Sequence, residues 1–311
     1  MKKLFALLAA SALALSACSS DKPEAESTDT KETTAAAEES SLKIYATTGY
    51  IADAAKNIAP DAEVITMVGP GGDPHTYTPS TKDIEAMRDS DIVFSNGLHL
   101  EAQMEDQLAS LGDAHLAVGE TLPKSDLLPW EDNTNDPHVW NSPDLWSQVV
   151  DAMTDKIAEE DPDNADKYRE NAEKYKADID ATHKEAKEKL DKVKEPRILI
   201  TGHDAFEYFG KTYDLDVHAT DFISTEAEIS ATEMSELADL IANNKVPVIF
   251  MDNTANPQAI ESLKEAVHSR GWDVKVSDVE LFADTLGESA PTDTYLGVLE
   301  HNSSAVAKEL S

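Results

Sequence analysis

The sequence predicts an α/β protein of two lobes, each with a parallel β-sheet flanked by helices, joined by one long backbone helix. Short apolar runs alternate with amphipathic helical runs from residue 42 to residue 138, and the alternation resumes after residue 196. This alternation is typical of βαβ units around a parallel sheet. Between the two halves the pattern is almost wholly helical. The length that remains after the N-terminal segments, about 270 residues, is enough for two lobes.

The first half alternates strand and helix patterns throughout. The predicted strands are LKIYATTG, AEVITMVGP and DIVFSNG, and the predicted helices are IADAAKNIA, STKDIEAMRDS and LEAQMEDQLASL. Because a helical segment separates consecutive strands, these strands are expected to run parallel.

The middle segment, residues 142–193, predicts helices with one break at Asp161-Pro162. Its second part, residues 164–193, lacks Gly and Pro and is rich in Ala, Lys and Glu. This composition favours one uninterrupted helix of about 30 residues, about 45 Å long. A helix of that length is expected to bridge the two lobes, and Pro196 ends it.

The second half returns to the strand and helix alternation. In chain order the runs are RILITG, DAFEYFGKTY, VHATD, EISATEMSELADLIANN, VPVIFMD, PQAIESLKEAVHSRG, DVKVSD and a last helix, TDTYLGVLEHNSSAVAKEL.

Residues 1–18 have the pattern of a lipoprotein signal peptide. Two lysines precede an apolar stretch that is too short to span a membrane and typical of a secretory signal. The stretch ends in Leu15-Ser16-Ala17-Cys18, which resembles a bacterial lipobox, and Cys18 is the only cysteine of the chain. A lipid on Cys18 would hold the exported protein on the outer face of the cytoplasmic membrane. The alternative is a free reactive thiol.

Residues 19–41 are predicted to be a disordered acidic tether. They contain seven acids, two lysines and no aromatic or branched aliphatic residue, so they have little apolar surface to bury. The predicted organisation is a signal peptide at 1–18, this tether at 19–41, an N-terminal α/β lobe at 42–162, a linking helix at 163–195 and a C-terminal α/β lobe at 196–311.

The chain is strongly acidic, with 61 Asp and Glu residues against 26 Lys and Arg and a formal net charge of −35. Nucleic acid is therefore not expected as a partner, because phosphate contacts need clustered basic residues. The charge concentrates cations near the surface and favours solubility, and it is most simply an adaptation of the surface to salt or acid.

Asp-Pro-His occurs twice, as Asp73-Pro74-His75 and Asp136-Pro137-His138. Proline restricts its own backbone and that of the residue before it, so each histidine lies on a stiffened loop. His75 and His138 are therefore candidate metal ligands. The alternative is a histidine that caps a loop or a helix start.

His203 and Asp284 are the candidates from the second half. His203 follows the strand RILITG, and ligands of open α/β sheets gather at the carboxyl ends of strands. Asp284 lies in a loop after DVKVSD. The alternatives are a histidine bonded to the backbone at a helix start and an aspartate that caps a helix. Three imidazoles and a carboxylate suit one Zn²⁺ or Mn²⁺ ion, whereas Cu(I) favours thiolates and Ca²⁺ favours oxygen.

Several motifs in order resemble the substrate-binding lipoproteins of manganese and zinc ABC importers, known as cluster A-I or solute-binding protein family 9. They are GGDPHTYTPS around His75, NG at 96–97 with LE at 100–101, DPHVWNSP around His138, GHDAFEYF around His203, ISTE at 223–226 and LFADTLG around Asp284.

The resemblance implies two α/β lobes joined by a long helix, with one metal ion between them at His75, His138, His203 and Asp284. It also implies a monomer that delivers Mn²⁺ or Zn²⁺ to a membrane permease with a cytoplasmic ATPase, and no catalysis. Many manganese-binding members carry Glu where His203 stands, and the subgroup with three His and one Asp is linked to both metals. Zinc members often carry a His-rich loop, which residues 124–135 lack, so the resemblance leans to manganese.

Two other functions remain open at this point. A metal-dependent hydrolase with a His₃-carboxylate site would need an open coordination position and a general base, and HExxH and GxSxG do not occur. An adhesin role has no positive feature in the sequence. The other histidines are expected to be surface or packing residues, and Trp140, Trp146, Phe206 and Phe209 are expected to pack where the lobes meet.

Overall fold

The computed structural model describes residues 42–130, 134–221, 223 and 229–311. The predicted signal peptide with Cys18, the predicted tether and part of the ISTE motif lie outside these residues. Within them, no helix combines the length and the apolar character needed to cross a membrane.

The first half alternates strands and helices in the predicted order. Its elements are β1 (Lys43–Ala46), α1 (Gly49–Ile58), β2 (Glu63–Thr66), α2 (Thr81–Arg88), β3 (Ile92–Ser95), α3 (Glu105–Ala109) and β4 (His115–Ala117). The strand β4 was not predicted. All four strands are parallel in the order β2-β1-β3-β4, with Ile44 of β1 opposite Val64 and Ile92 of its neighbours.

Two helices connect the halves, α4 (Pro143–Glu160) and α5 (Ala165–Leu190). They are separated at Asp161-Pro162 as the sequence predicts, where a short 3₁₀ turn intervenes. The long helix α5 is uninterrupted but shorter than predicted: its 26 residues span about 39 Å, and it ends with Asp191 as its C-cap. It packs against α1 and α4.

The second half repeats this architecture. Its elements are β5 (Ile198–Thr201), α6 (Glu207–Tyr213), β6 (Asp216–Ala219), α7 (Ala231–Asn244), β7 (Val248–Ile249), α8 (Pro257–His268), β8 (Lys275–Val276) and α9 (Tyr295–Glu309). Strand β5 pairs in parallel with β6, and β7 with β8. Phe250, the residue after β7, donates from its N atom to Ile200 O of β5 at 2.8 Å, so β7 lies beside β5. The predicted α/β fold class is confirmed.

One hydrophobic core continues through both halves. It includes Ile44 and Phe94 from the first sheet, Tyr175 from α5, and Leu199 and Val306 from the second half. The four aromatic residues predicted to pack between lobes are buried, and Trp146 lies 5.4 Å from the Tyr295 ring of the second half. Helix α9 packs against α5, so the linking helix is part of the core of both halves.

Candidate metal centre

The four candidate ligands lie in loops at the carboxyl ends of the two sheets. His75 follows β2, and His203 lies two residues beyond the end of β5. His138 precedes α4, and Asp284 follows β8. Parallel strands bring their carboxyl ends to one edge of a sheet, which is why residues so distant in sequence meet.

The structure brings the four side chains together in a closed, buried cluster. One potential ligand atom from each of His75, His138, His203 and Asp284 lies within 4.8 Å of the others. His75 is 5% exposed, and the other three residues are fully buried. These are the residues that the sequence predicts, and no other group of three or more such ligands is found among the described residues.

Separations between the ligand atoms match the space that an ion occupies. The Nε2 atom of His138 lies 3.3 Å from that of His75 and 3.2 Å from that of His203. The carboxylate oxygens of Asp284 lie 3.3 to 3.8 Å from the three Nε2 atoms. Tetrahedral ligands at about 2.0–2.1 Å from Zn²⁺ are about 3.3 Å apart, so the cluster has the dimensions of a coordination shell.

The two Asp-Pro-His loops hold their histidines in the same way. Asp73 Oδ1 accepts a hydrogen bond from His75 N, and Asp136 Oδ1 accepts one from His138 N, both at 2.9 Å. Asp136 Oδ1 also lies 2.7 Å from His138 Nδ1. A proton on Nδ1 leaves the Nε2 lone pair directed at the centre of the cluster, which is the orientation that metal ligation needs.

Burial and the neighbouring charges act in opposite directions on the pKa values of the histidines and of Asp284 in the cluster. Burial alone would lower the pKa of the His138 imidazole, but Asp136 and Asp284 outweigh it and raise that pKa to about 10. For His75 burial prevails, and its pKa is lowered. Burial would raise the pKa of Asp284, but the imidazoles of His203 and His138 hold it well below its usual range.

Asp284 carries the clearest sign of a cationic ligand. Within the described part of the chain, neither of its carboxylate oxygens has a hydrogen-bond partner of good geometry. A buried carboxylate without donors is costly, and native proteins retain such groups where a cation compensates them. The residues present therefore fit a divalent ion of the zinc and manganese type.

The alternatives for His203 and Asp284 do not match their surroundings. If His203 were the N-cap of α6, the helix would begin at residue 204, but it begins at Glu207. The next helix after Asp284 begins at Tyr295, and its N-cap is Thr294.

Two of the remaining histidines have surface or packing contacts, as the sequence predicts. His268 contacts Asp273 on the surface, and His115 lies beside Ser95.

Sequence reasoning missed residues that hold the cluster from outside. Asp252 and Asn253 follow β7 and hydrogen-bond the His203 and Asp284 loops. Their signal was their position at the end of the run VPVIFMD, the same strand-end rule that identified His203. Tyr50 of the first half was also missed, and it donates to the carbonyl of Ala283, beside Asp284. Trp140, which the sequence predicts to pack where the lobes meet, donates to the same carbonyl.

Comparison with known proteins identifies the family. A family model described as zinc-uptake complex component A, periplasmic (ZnuA), matches residues 44–309. This chain belongs to the ZnuA family. The manganese-binding lipoprotein MntA of Bacillus subtilis is 35% identical over 275 residues, covering 86% of this chain and 90% of that protein. The family predicted from the sequence motifs is thereby confirmed.

Two solved structures, of a zinc-binding and of an Fe(III)-bound protein, share the fold. The periplasmic zinc-binding protein TroA from Treponema pallidum superimposes with a TM-score of 0.84 at 35% identity, covering 87% of this chain and 99% of that one. Fe(III)-bound YtgA from Chlamydia trachomatis superimposes with a TM-score of 0.80 at 25% identity, covering 87% and 98%. The two halves described above therefore form the two-lobe fold of these proteins.

Proposed function

We propose that this protein is the extracellular substrate-binding component of an ABC importer, which captures one Mn²⁺ or Zn²⁺ ion and delivers it to a membrane permease driven by a cytoplasmic ATPase. The ion is the cargo. The names of MntA and TroA, which refer to manganese and zinc, support both metals as candidates.

One observation carries the proposal: among the described residues, three imidazoles converge in a buried cluster with a carboxylate that has no hydrogen-bond partner. We assign His75, His138, His203 and Asp284 as the metal ligands. The first two come from residues 42–162 and the last two from residues 196–311, so the ion joins the N-terminal and C-terminal lobes across the linking helix at residues 163–195.

Closure of the site favours a carrier over a hydrolase. A hydrolytic metal needs an open position for water and a general base beside it. Four buried protein ligands would complete the tetrahedral shell of Zn²⁺ and so leave no position for water on that ion. The comparisons give no support to the hydrolase alternative, and we propose that the protein has no catalytic activity.

We further propose that the protein is exported, cleaved before Cys18 and anchored by lipid on that sulfur, with residues 19–41 as the tether. Names that include the word lipoprotein among the relatives support this anchor. Such an anchor keeps a monomeric carrier close to its permease. Mass spectrometry of the native protein would detect the diacylglycerol on the N-terminal cysteine.

The test begins with elemental analysis of protein purified from its host without added metal. We expect one Mn or Zn ion per chain, followed by competition between the two ions to rank their affinities. Zn²⁺ is expected to bind more tightly at equal concentrations, so supply can determine which ion is carried. Protein that holds no transition metal and binds none, or that turns over phosphate or peptide esters, would contradict the proposal.

His203→Ala is the direct test of the ligand assignment. We expect the metal affinity to fall by more than the about 10- to 100-fold that is typical of residues supporting a ligand from outside. The metal-free fold should survive, because the imidazole belongs to the metal cluster and not to the hydrophobic core. Isothermal titration calorimetry measures the affinity, and His268→Ala on the surface is the matched control. Tight residual binding of one equivalent would remove His203 from the ligand set.

A further inference from the structure

The loops that carry both candidate ligands of the second half are hydrogen-bonded to one short segment that the sequence motifs did not identify. His203 and Asp284 are far apart in the chain and follow different strands. Asp252 accepts a hydrogen bond from the backbone of His203. Asn253 hydrogen-bonds the residues on both sides of Asp284. These two consecutive residues follow β7, which lies beside β5.

Asp252 holds the His203 loop through backbone N–H groups. Its Oδ2 atom accepts hydrogen bonds from Gly202 N and His203 N, both at 2.9 Å. Its Oδ1 atom accepts from Thr254 N at 3.2 Å and from Thr254 Oγ1 at 3.0 Å. With four donors and 2% exposure, the carboxylate has one available orientation.

Gly202 is needed for this contact. A Cβ atom at this position would lie 2.9 Å from Asp252 Oδ2 and 2.2 Å from Ala255 Cβ. The other side of the loop is held as well, because Thr201 Oγ1 donates to His203 O at 2.9 Å. The backbone of His203 is therefore fixed on both sides, and its imidazole inherits that position.

Asn253 brackets Asp284 in a comparable way. Its Oδ1 atom accepts from Ala283 N at 2.8 Å. Its Nδ2 atom donates to Thr285 O at 3.0 Å and to Thr285 Oγ1 at 2.6 Å. Neither carboxylate oxygen of Asp284 has a hydrogen-bond partner in the described part of the chain, so the backbone on either side helps to set its position.

We propose that Asp252 and Asn253 are positioning residues for the metal site: Asp252 acts through His203 and Asn253 acts through Asp284. The inference rests on the proposed function. Ligand geometry must be held to within about 0.5 Å for tight binding, and these two side chains provide that restraint for the half of the site that comes from the second lobe.

Double-mutant cycles test the two assignments with Zn²⁺ as the probe and a chelator as the competitor. We expect Asp252→Asn to weaken Zn²⁺ binding by about 10- to 100-fold in the wild-type background and by less than about twofold in a His203→Ala background. Asn253→Ala should behave in the same way with Asp284→Ala as its partner. In each cycle the loss disappears because the residue has nothing left to position.

The melting temperature of the metal-free variants separates positioning from general stability. Asp53→Asn is the matched control, since Asp53 is a buried carboxylate with two hydrogen bonds outside the metal cluster, and it should leave Zn²⁺ affinity unchanged. Equal losses in both backgrounds, or a lower melting temperature with unchanged affinity, would overturn the inference.

A milder variant decides the question if Asp252→Asn does not fold. Thr254→Val removes one donor to Asp252 Oδ1 and leaves the carboxylate in place. We expect a smaller loss of Zn²⁺ affinity that also disappears with His203→Ala, and an unchanged affinity would count against Asp252. Wild-type protein that binds no Zn²⁺ and no Mn²⁺ would refute the proposed function itself, whereas normal wild-type binding with unaffected variants refutes only this inference.

Discussion

At the scale of single residues, the surroundings of two buried carboxylates shift their pKa values in opposite directions: that of Asp284 is lowered and that of Asp53 is raised. Asp284 lies among imidazoles that keep it ionised. Asp53 lies where α1, α5 and α9 meet, and its Oδ2 atom accepts from Tyr175 OH at 2.8 Å and from Tyr295 N at 3.2 Å. Burial raises the pKa of Asp53, while these two hydrogen bonds oppose the rise and Asp293 adds to it.

The raised pKa of Asp53 predicts a pH dependence of stability. A carboxyl group that binds its proton more tightly in the folded state contributes stability that is fully present below its ordinary pKa of 3.8 and is lost as pH rises through the folded pKa. Asp53→Asn keeps a neutral oxygen that can accept both hydrogen bonds. The variant should therefore gain stability relative to the wild type as pH rises.

Urea unfolding of metal-free protein at several pH values measures this difference. The free energy of unfolding of Asp53→Asn minus that of the wild type should increase from acid to neutral pH. A difference that stays constant with pH would show that Asp53 has the same pKa in the folded and unfolded states.

At the scale of elements, the linking helix combines local propensity with burial of one face. Tyr168, Ala172, Tyr175 and Ile179 of α5 are buried, at the spacing of one helical face, while Ala177 is exposed. Because Ala177 makes no core contact, changes there report on the helix backbone alone.

Substitutions at Ala177 predict graded losses of stability. Ala177→Gly should cost about 1 kcal/mol in the free energy of unfolding, because glycine loses more backbone freedom in a helix. Ala177→Pro should cost about 3 kcal/mol or more, since it removes a backbone hydrogen bond and clashes with the preceding turn. Thermal unfolding followed by circular dichroism measures both. Equal losses for the two variants would mean that α5 frays near this residue.

At the scale of the whole molecule, the excess of acids predicts stability that depends on salt. A formal charge of −35 repels itself more strongly in the compact state than in the unfolded chain. Screening lengths fall from about 30 Å at 0.01 M salt to about 8 Å at 0.15 M, so the melting temperature of metal-free protein should rise over this range.

Two salts with different specific effects provide the control for this prediction. Chloride and thiocyanate of the same cation should raise the melting temperature equally at low ionic strength, because screening depends on ionic strength alone. A melting temperature that is flat between these concentrations would show that the charges are spaced widely enough not to interact.

Sequence patterns predicted most of the elements, and the exceptions have identifiable causes. Strand β4 is only three residues long, His115–Ala117, which is too short for a periodic signal, and it exists because it pairs with β3. The helix α5 ends at Leu190 rather than near residue 193, and such ends are set by local capping and packing more than by composition.

The sequence by itself determined the α/β class, the order of its elements and the side chains suited to a metal, because these follow from local periodicity and residue chemistry. Only the tertiary structure decided that the four ligand atoms converge within 4.8 Å and that Asp252 and Asn253 support two of them. Convergence of residues tens of positions apart depends on how strands pair and where their loops end, and a hydrogen bond to a distant backbone N–H leaves no mark on the residue that donates it.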